Sequence, residues 1–230
     1  MGFNMAQRVG AMALIMVCLY ANHCMGQSAP RALVSQAYFN SLMSAVGARC
    51  EGKSFYTYDG FIRAAELATS FGTAGSDVLR KREVAAFLAN AMHETGGFCY
   101  VSEIRKSDYC DSTNTQWPCA AGKRYFGRGP LQLTWNYNYG KAGQALGFDG
   151  LNNPDIVSQD PMISFRTAFW FWMNKCHDAI IQGRGFGATI RAINGGECKG
   201  RKPTAVNSRI SYYRRFCRDF GVDPGLNLSC

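Results

Sequence analysis

VLRKREVAAFLANAMHE, residues 78–94, sets Val84, Phe87, Leu88 and Ala91 at the i, i+3, i+4, i+7 spacing of an amphipathic helix. Glu83, Asn90 and Glu94 fall on the opposite face. Upstream, Leu33, Tyr38, Phe39, Leu42 and Met43 form an apolar pattern, and residues 59–70 read as a helix with Asp59 as its N-cap and Phe61, Ile62, Ala65 and Leu67 as its apolar positions. Downstream, residues 95–138 break into Gly, Asp, Ser, Asn and Pro clusters that mark a loop region. Helical patterning returns at 164–182, with Phe165, Ala168, Phe169, Trp172 and Met173 as a buried stripe, then at 186–193 and 203–220, the last opening on a proline suited to a first turn. Strand signals are few and short. The expectation is a mainly α-helical fold with one small hairpin inside the loop region.

Residues 1–26 carry one basic residue, Arg8, no acid, and an apolar run from Ala11 to Ala21, which reads as a signal peptide. The run is too short for the ~20 apolar residues of a membrane span. The remaining residues, 27–230, fit one domain able to bury a full core, secreted and extracellular. Of the 10 cysteines, those at 50, 99, 110, 119, 176, 198, 217 and 230 remain in that domain, an even set expected to form disulfides outside the cytosol. The whole-chain charge of +9 predicts a basic surface, attractive to polyanions. Its cations are scattered through 80–82, 105–106, 199–202 and 214–218, so neither nucleic acid nor a membrane is expected as a partner.

His93-Glu94-Thr95-Gly96-Gly97 lacks the second histidine of a zinc-binding His-Glu-x-x-His helix, and no Cys-x-x-Cys pair exists, so no metal and no cofactor are expected. What remains is a pair of carboxylates, Glu94 at a helix end and Glu103 in the irregular segment that follows. Two acids suffice to hydrolyse a glycosidic bond when one is protonated and the other ionised. At a helix end beside the core, desolvation should raise Glu94 above the ~4.3 of a free glutamate, whereas Glu103, near Arg105, should stay charged. The segment 126–140, FGRGPLQLTWNYNYG, gathers amides, hydroxyls and aromatics, the mixture that binds sugar hydroxyls and the flat faces of sugar rings.

Together, residues 93–100, Glu103, residues 127–140, Phe169 to Met173, Ile190 to Gly195, and Arg209 ahead of Tyr212 and Tyr213 resemble plant chitinases of glycoside hydrolase family 19. The likeness covers nearly all of residues 27–230 and is similar to the compact, loop-deleted members without a hevein-like chitin-binding module. It implies a lysozyme-like, two-lobed helical domain with a substrate cleft, stapled by disulfides and acting as a monomer on chitin and N-acetylglucosamine oligomers. It further implies an inverting endochitinase in which Glu94 matches the acid, Glu103 the base, and Thr134 the hydroxyl that helps Glu103 hold the attacking water. Gln132, Tyr137, Asn138 and Asn194 match substrate-contacting positions, with His93 and Arg209 placed beside them. Arg209 and Glu197 match a charged network supporting the acid, although the chain is one residue shorter before Glu197. The implied disulfides are Cys50 to Cys99, Cys110 to Cys119 and Cys198 to Cys230, which leaves Cys176 and Cys217 either paired together or free. A catalytically silent chitin lectin and a peptidoglycan hydrolase are the competing readings.

Overall fold

Ser76 caps the decisive helix by accepting from the Leu79 amide at 3.4 Å, and Asp77 puts an acid in the positively polarised first turn. The helix then runs Asp77–Glu94 without a breaker and stops where Gly96 and Gly97 adopt φ of +58° and +76°, the Gly97 amide folding back onto Met92 O at 2.6 Å. The computed structural model describes residues 29–230, so the expected signal peptide lies outside the described residues.

In chain order the helices are α1 (Ala29–Leu33), α2 (Gln36–Ser44), α3 (Gly52–Phe55), α4 (Tyr58–Leu67), α5 (Asp77–Glu94), α6 (Asn136–Leu146), α7 (Pro161–Lys175), α8 (His177–Ile181), α9 (Phe186–Asn194) and α10 (Pro203–Asp219). Two 3₁₀ turns, Pro154–Ser158 and Gly195–Glu197, connect them. The expected hairpin is reduced to two isolated antiparallel bridges, Ser102 with Arg128 and Arg128 with Leu133. No helix of the described residues is long and apolar enough to cross a membrane.

The described residues make two cores. The larger gathers α2, α4, α5, α7 and α10 around aromatic side chains, with Phe87 stacked on Phe169 at 4.2 Å and Phe61 packed edge-on against Phe165 at 5.6 Å. Burying each such ring stabilises the fold by roughly 1.5–3 kcal/mol. The smaller core holds Tyr125, Leu133, Tyr139, Ala142 and Val157 under the loop region. Helix α7 serves both, giving Phe165, Phe169 and Trp172 to the first and Ile163 and Trp170 to the second. The lysozyme-like, two-lobed expectation therefore holds, and its physical basis is one helix apolar on two sides.

Several local expectations change. Asp59 is not the cap of α4: Thr57 accepts from the Gly60 amide at 3.1 Å, and Asp59 pairs instead with Arg63 one turn on. The run 164–182 divides at Cys176 into α7 and α8, and α7 starts earlier, where Asp160 accepts from the Met162 and Ile163 amides. Most instructive is α5, whose polar face is buried as deeply as its apolar one. Glu83 and Asn90 are fully buried. Such groups persist only when hydrogen-bonded. Glu83 accepts from Trp172 Nε1 at 3.0 Å and the Gly72 amide at 2.9 Å, with His177 Nδ1 at 2.6 Å. Among the described residues the three disulfides match the implied pairing, and Cys176 and Cys217 are buried free thiols.

Candidate active site

Glu94 is the last residue of α5, so its backbone is rigid while its side chain leaves the core. Fully buried Arg209 of α10 meets it there. The guanidinium donates to Glu94 Oε1, to both Glu197 oxygens at 2.9 and 3.0 Å, and to Asn90 Oδ1 at 3.0 Å. Asn90, one turn before Glu94, is fixed by donating to Ala86 O and to Thr189 Oγ1 of α9. Burial raises the Glu94 titration, and the Arg209 charge and hydrogen bond offset this only partly. Glu197 ends below the ordinary range: burial, the largest single influence, works upward, but hydrogen bonding to Arg209 and the nearby positive charge, chiefly that of Arg209, together outweigh it. One cation thus serves two carboxylates unequally, the environment that separates an acid from a charge holder.

Glu103 is positioned by backbone pairing. Its amide donates to Gly127 O at 2.8 Å, and the Gly129 amide donates to Val101 O at 2.8 Å. Glu51 Oε1 holds the other edge, accepting from the Val101 and Ser102 amides at 2.6 and 3.0 Å. The Cys50 to Cys99 bridge ties the same two segments. Arg128 anchors the partner segment from beneath: it is buried, pairs with Asp155, donates to Tyr139 Oη at 2.8 Å and lies 3.5 Å over the Phe126 ring. The turn that follows places Gln132 at φ +49° and Trp135 at φ +77°, a backbone strain of the kind that gathers at functional loops.

Burial also raises the Glu103 titration, while hydrogen bonding from the Ser107 backbone and the Tyr109 hydroxyl lowers it. The expected role of Arg105 is therefore replaced. That residue is exposed, and the cation acting on Glu103 is Arg128. Glu103 Oε1 is buried and accepts no hydrogen bond from the protein.

Glu94 and Glu103 line one cleft of about 390 Å³. Gln132, Thr134, Ile193 and Asn194 share its wall, with Tyr100 and Ile104 at its exposed side. Thr134 Oγ1 donates to Gln132 O at 2.7 Å, and Asn194 Nδ2 donates to Glu197 Oε1 at 3.0 Å. Four expected contacts stand elsewhere. Asn138 donates to Thr134 O at 2.8 Å, and Tyr137 stacks on Trp135 at 6.0 Å, both in the first turn of α6. His93 Nδ1 lies 3.1 Å from Ser208 Oγ, and burial beside Arg209 lowers its titration to about 4, so it is neutral near neutral pH. Arg209, fully buried, belongs to the charge network and does not line the cleft. Glu197 joins that network despite the shortened segment before it, because the 3₁₀ turn Gly195–Glu197 brings it under Arg209.

Asn90, Glu51 and Arg128 were missed as site-building residues. A polar residue set amid apolar ones a turn before a helix-end acid was the available signal for Asn90; none marks Glu51.

A family model described as chitinase class I matches residues 33–230. The chain belongs to glycoside hydrolase family 19. It is 56% identical over 200 residues to endochitinase B of Zea mays, covering 86% of this chain and 70% of that protein. It is 55% identical over 201 residues to chitinase 6 of Oryza sativa subsp. japonica, covering 86% and 74%. Among solved structures, a family 19, class IV chitinase from Zea mays superposes with a TM-score of 0.82 at 53% identity, covering 86% of this chain and 98% of that one. The molecule is accordingly a glycoside hydrolase, and the cleft is its candidate active site.

Proposed function

We propose that this chitinase cuts β-1,4 linkages between N-acetylglucosamine units within chitin chains by single displacement with inversion. Glu94 donates a proton to the departing glycosidic oxygen, and Glu103 takes one from a water that attacks the opposite face of the sugar. The observation that carries this reading is the unequal sharing of Arg209, which leaves Glu197 charged and Glu94 raised toward its protonated form. Glu103 lines the same cleft and offers its carboxylate to the water, and Thr134, on the same wall, can turn its hydroxyl from Gln132 O to help hold it. Gln132 and Asn194 are placed to contact sugar amide and hydroxyl groups. Three disulfides among the described residues fit an oxidising compartment, so we take the enzyme to be secreted; we further take it to work as a monomer.

Proton NMR of a chitin oligomer during the first minutes of cleavage tests the mechanism. The expected initial product is the α-anomer. A β-anomer overturns inversion, binding without cleavage returns the lectin reading, and cleavage of bacterial wall alone returns the peptidoglycan reading.

A further inference from the structure

A second concavity of about 530 Å³ is lined by residues of α7, α8 and α9 and of the C-terminal tail. Three cations face it, Lys175 at the end of α7, Arg184 before α9 and Arg191 within α9. All three are exposed, and none of their side chains has an ion-pair or hydrogen-bond partner among the described residues. Elsewhere on the surface Arg31, Lys81 and Arg82 are matched to Glu66, Asp77 and Asp223. No acid lines the groove. The floor is Ala179, Ala188 and Ala192, small enough to let a ring approach the backbone.

The groove is built rather than loose. Asn227 forms its far wall, and its carbonyl accepts from the Gly187 amide at 2.8 Å. The Cys198 to Cys230 disulfide pins the same tail. Helix α9 connects the groove to the cleft, because Arg191 and Asn194 are three residues apart and such residues are surface neighbours about 5–6 Å apart.

We propose that this groove binds acidic polysaccharide, seating the carboxylates of a uronate chain on Lys175, Arg184 and Arg191. Guanidinium groups pair with carboxylates through two parallel hydrogen bonds, and unpartnered cations lose no existing contact in doing so. A uronate chain presents one carboxylate per ring, between apolar ring faces that suit the alanine floor. Single-stranded nucleic acid fits less well, since it relies on aromatic platforms and no aromatic side chain lines this wall. The groove would hold the enzyme on an acidic matrix while the neighbouring cleft remains open to its own substrate, whatever the chemistry there.

The test is titration of the full-length protein with oligogalacturonate, with dextran and single-stranded RNA as comparison probes. Binding of oligogalacturonate should weaken with salt at a logarithmic slope of about 2, as three charge contacts predict. The triple variant Lys175→Gln, Arg184→Gln, Arg191→Gln should bind at least about tenfold more weakly. A control of equal charge, Arg201→Gln, Arg214→Gln, Arg218→Gln, should bind within about twofold of the parent, with thermal unfolding confirming that each variant folds. Lys175→Gln with Arg184→Gln should leave chitin-oligomer hydrolysis unchanged. Equal losses in the triple variant and the control would reduce the effect to net charge and overturn the groove. Absent binding of oligogalacturonate, or tighter binding of RNA, would overturn the ligand.

Discussion

Glu94 and Glu103 stand nine residues apart in sequence and face the same cleft, yet the walls that carry them are held by different forces. The Glu94 wall is a helix buried on all sides from Glu83 to Met92, clamped by an aromatic core and by one guanidinium that reaches three side chains. The Glu103 wall is a loop held by backbone pairing, two disulfides and a buried arginine beneath. The first arrangement controls a proton; the second controls a position. A rigid, desolvated site suits a group whose charge state must be set, whereas a loop fixed by amides can aim a carboxylate at the cleft.

If that division is correct, losing either acid should dominate every other change. Glu94→Gln should lower kcat by about 10³- to 10⁴-fold and Glu103→Gln by at least about 10²-fold, near the range for a lost general acid or base. Both should retain chitin-oligomer affinity, which calorimetry on the inactive variants would measure. Near-parental turnover in either variant would remove that residue from the chemistry.

Thr134→Ala comes next, with turnover down by about 10²-fold and a melting temperature within a few degrees of the parent, since the hydroxyl is part-buried and bonds only to Gln132 O. An unchanged rate would mean that Glu103 needs no help in holding water.

Stability should separate the walls as well. Arg209→Met strands Glu197 and Glu94 without their cation and should cost about 3–5 kcal/mol, the scale of breaking a buried pair. Arg128→Met should cost less, because its partner Asp155 is 52% exposed and can turn to water. Urea unfolding of the two variants makes the comparison, and the reverse order would show that the small lobe depends on its arginine more than the large one does.

These contrasts also explain what was legible in the sequence. The stripe Val84, Phe87, Leu88 and Ala91 gave α5, because periodicity records the face turned to the main core. It could not show that α10, α7 and α8 cover the other face, since burial of Glu83 and Asn90 depends on partners far away in the chain. The Glu103 wall was readable only as irregular, because its order comes from amide pairing between residues 101–103 and 127–129, which leaves no mark on side-chain pattern. The helix Asn136–Leu146 was hidden for a related reason: Asn136 spends its side chain on Asp111 and Trp117 of the preceding loop, so its first turn reads as loop composition. The paired acids and Arg209 were legible through family likeness, while the orientation of Arg209 behind the acid needed the fold.

The smallest expected effect probes the proton-controlling wall alone. In the pH profile of kcat/KM, the acidic limb should report Glu103 losing its proton and the alkaline limb Glu94 losing its own. The charge of Glu197 raises Glu94, and Glu197 also occupies hydrogen bonds that Arg209 would otherwise give. In Glu197→Gln both influences fall away: a negative charge is removed, and Arg209 is freed to stabilise ionised Glu94. Each pushes the Glu94 titration down, so the alkaline limb should move toward acid. Glu197 does not act on Glu103, so the acidic limb should stay in place. At a pH on the alkaline limb the loss should be at most about tenfold, equivalent to about one pKa unit. The parental and Glu197→Gln profiles, recorded on a soluble oligomer, decide it. An alkaline limb that moves upward or stays fixed would mean that Glu197 does not tune the acid, and that the unequal sharing of Arg209 is structural only.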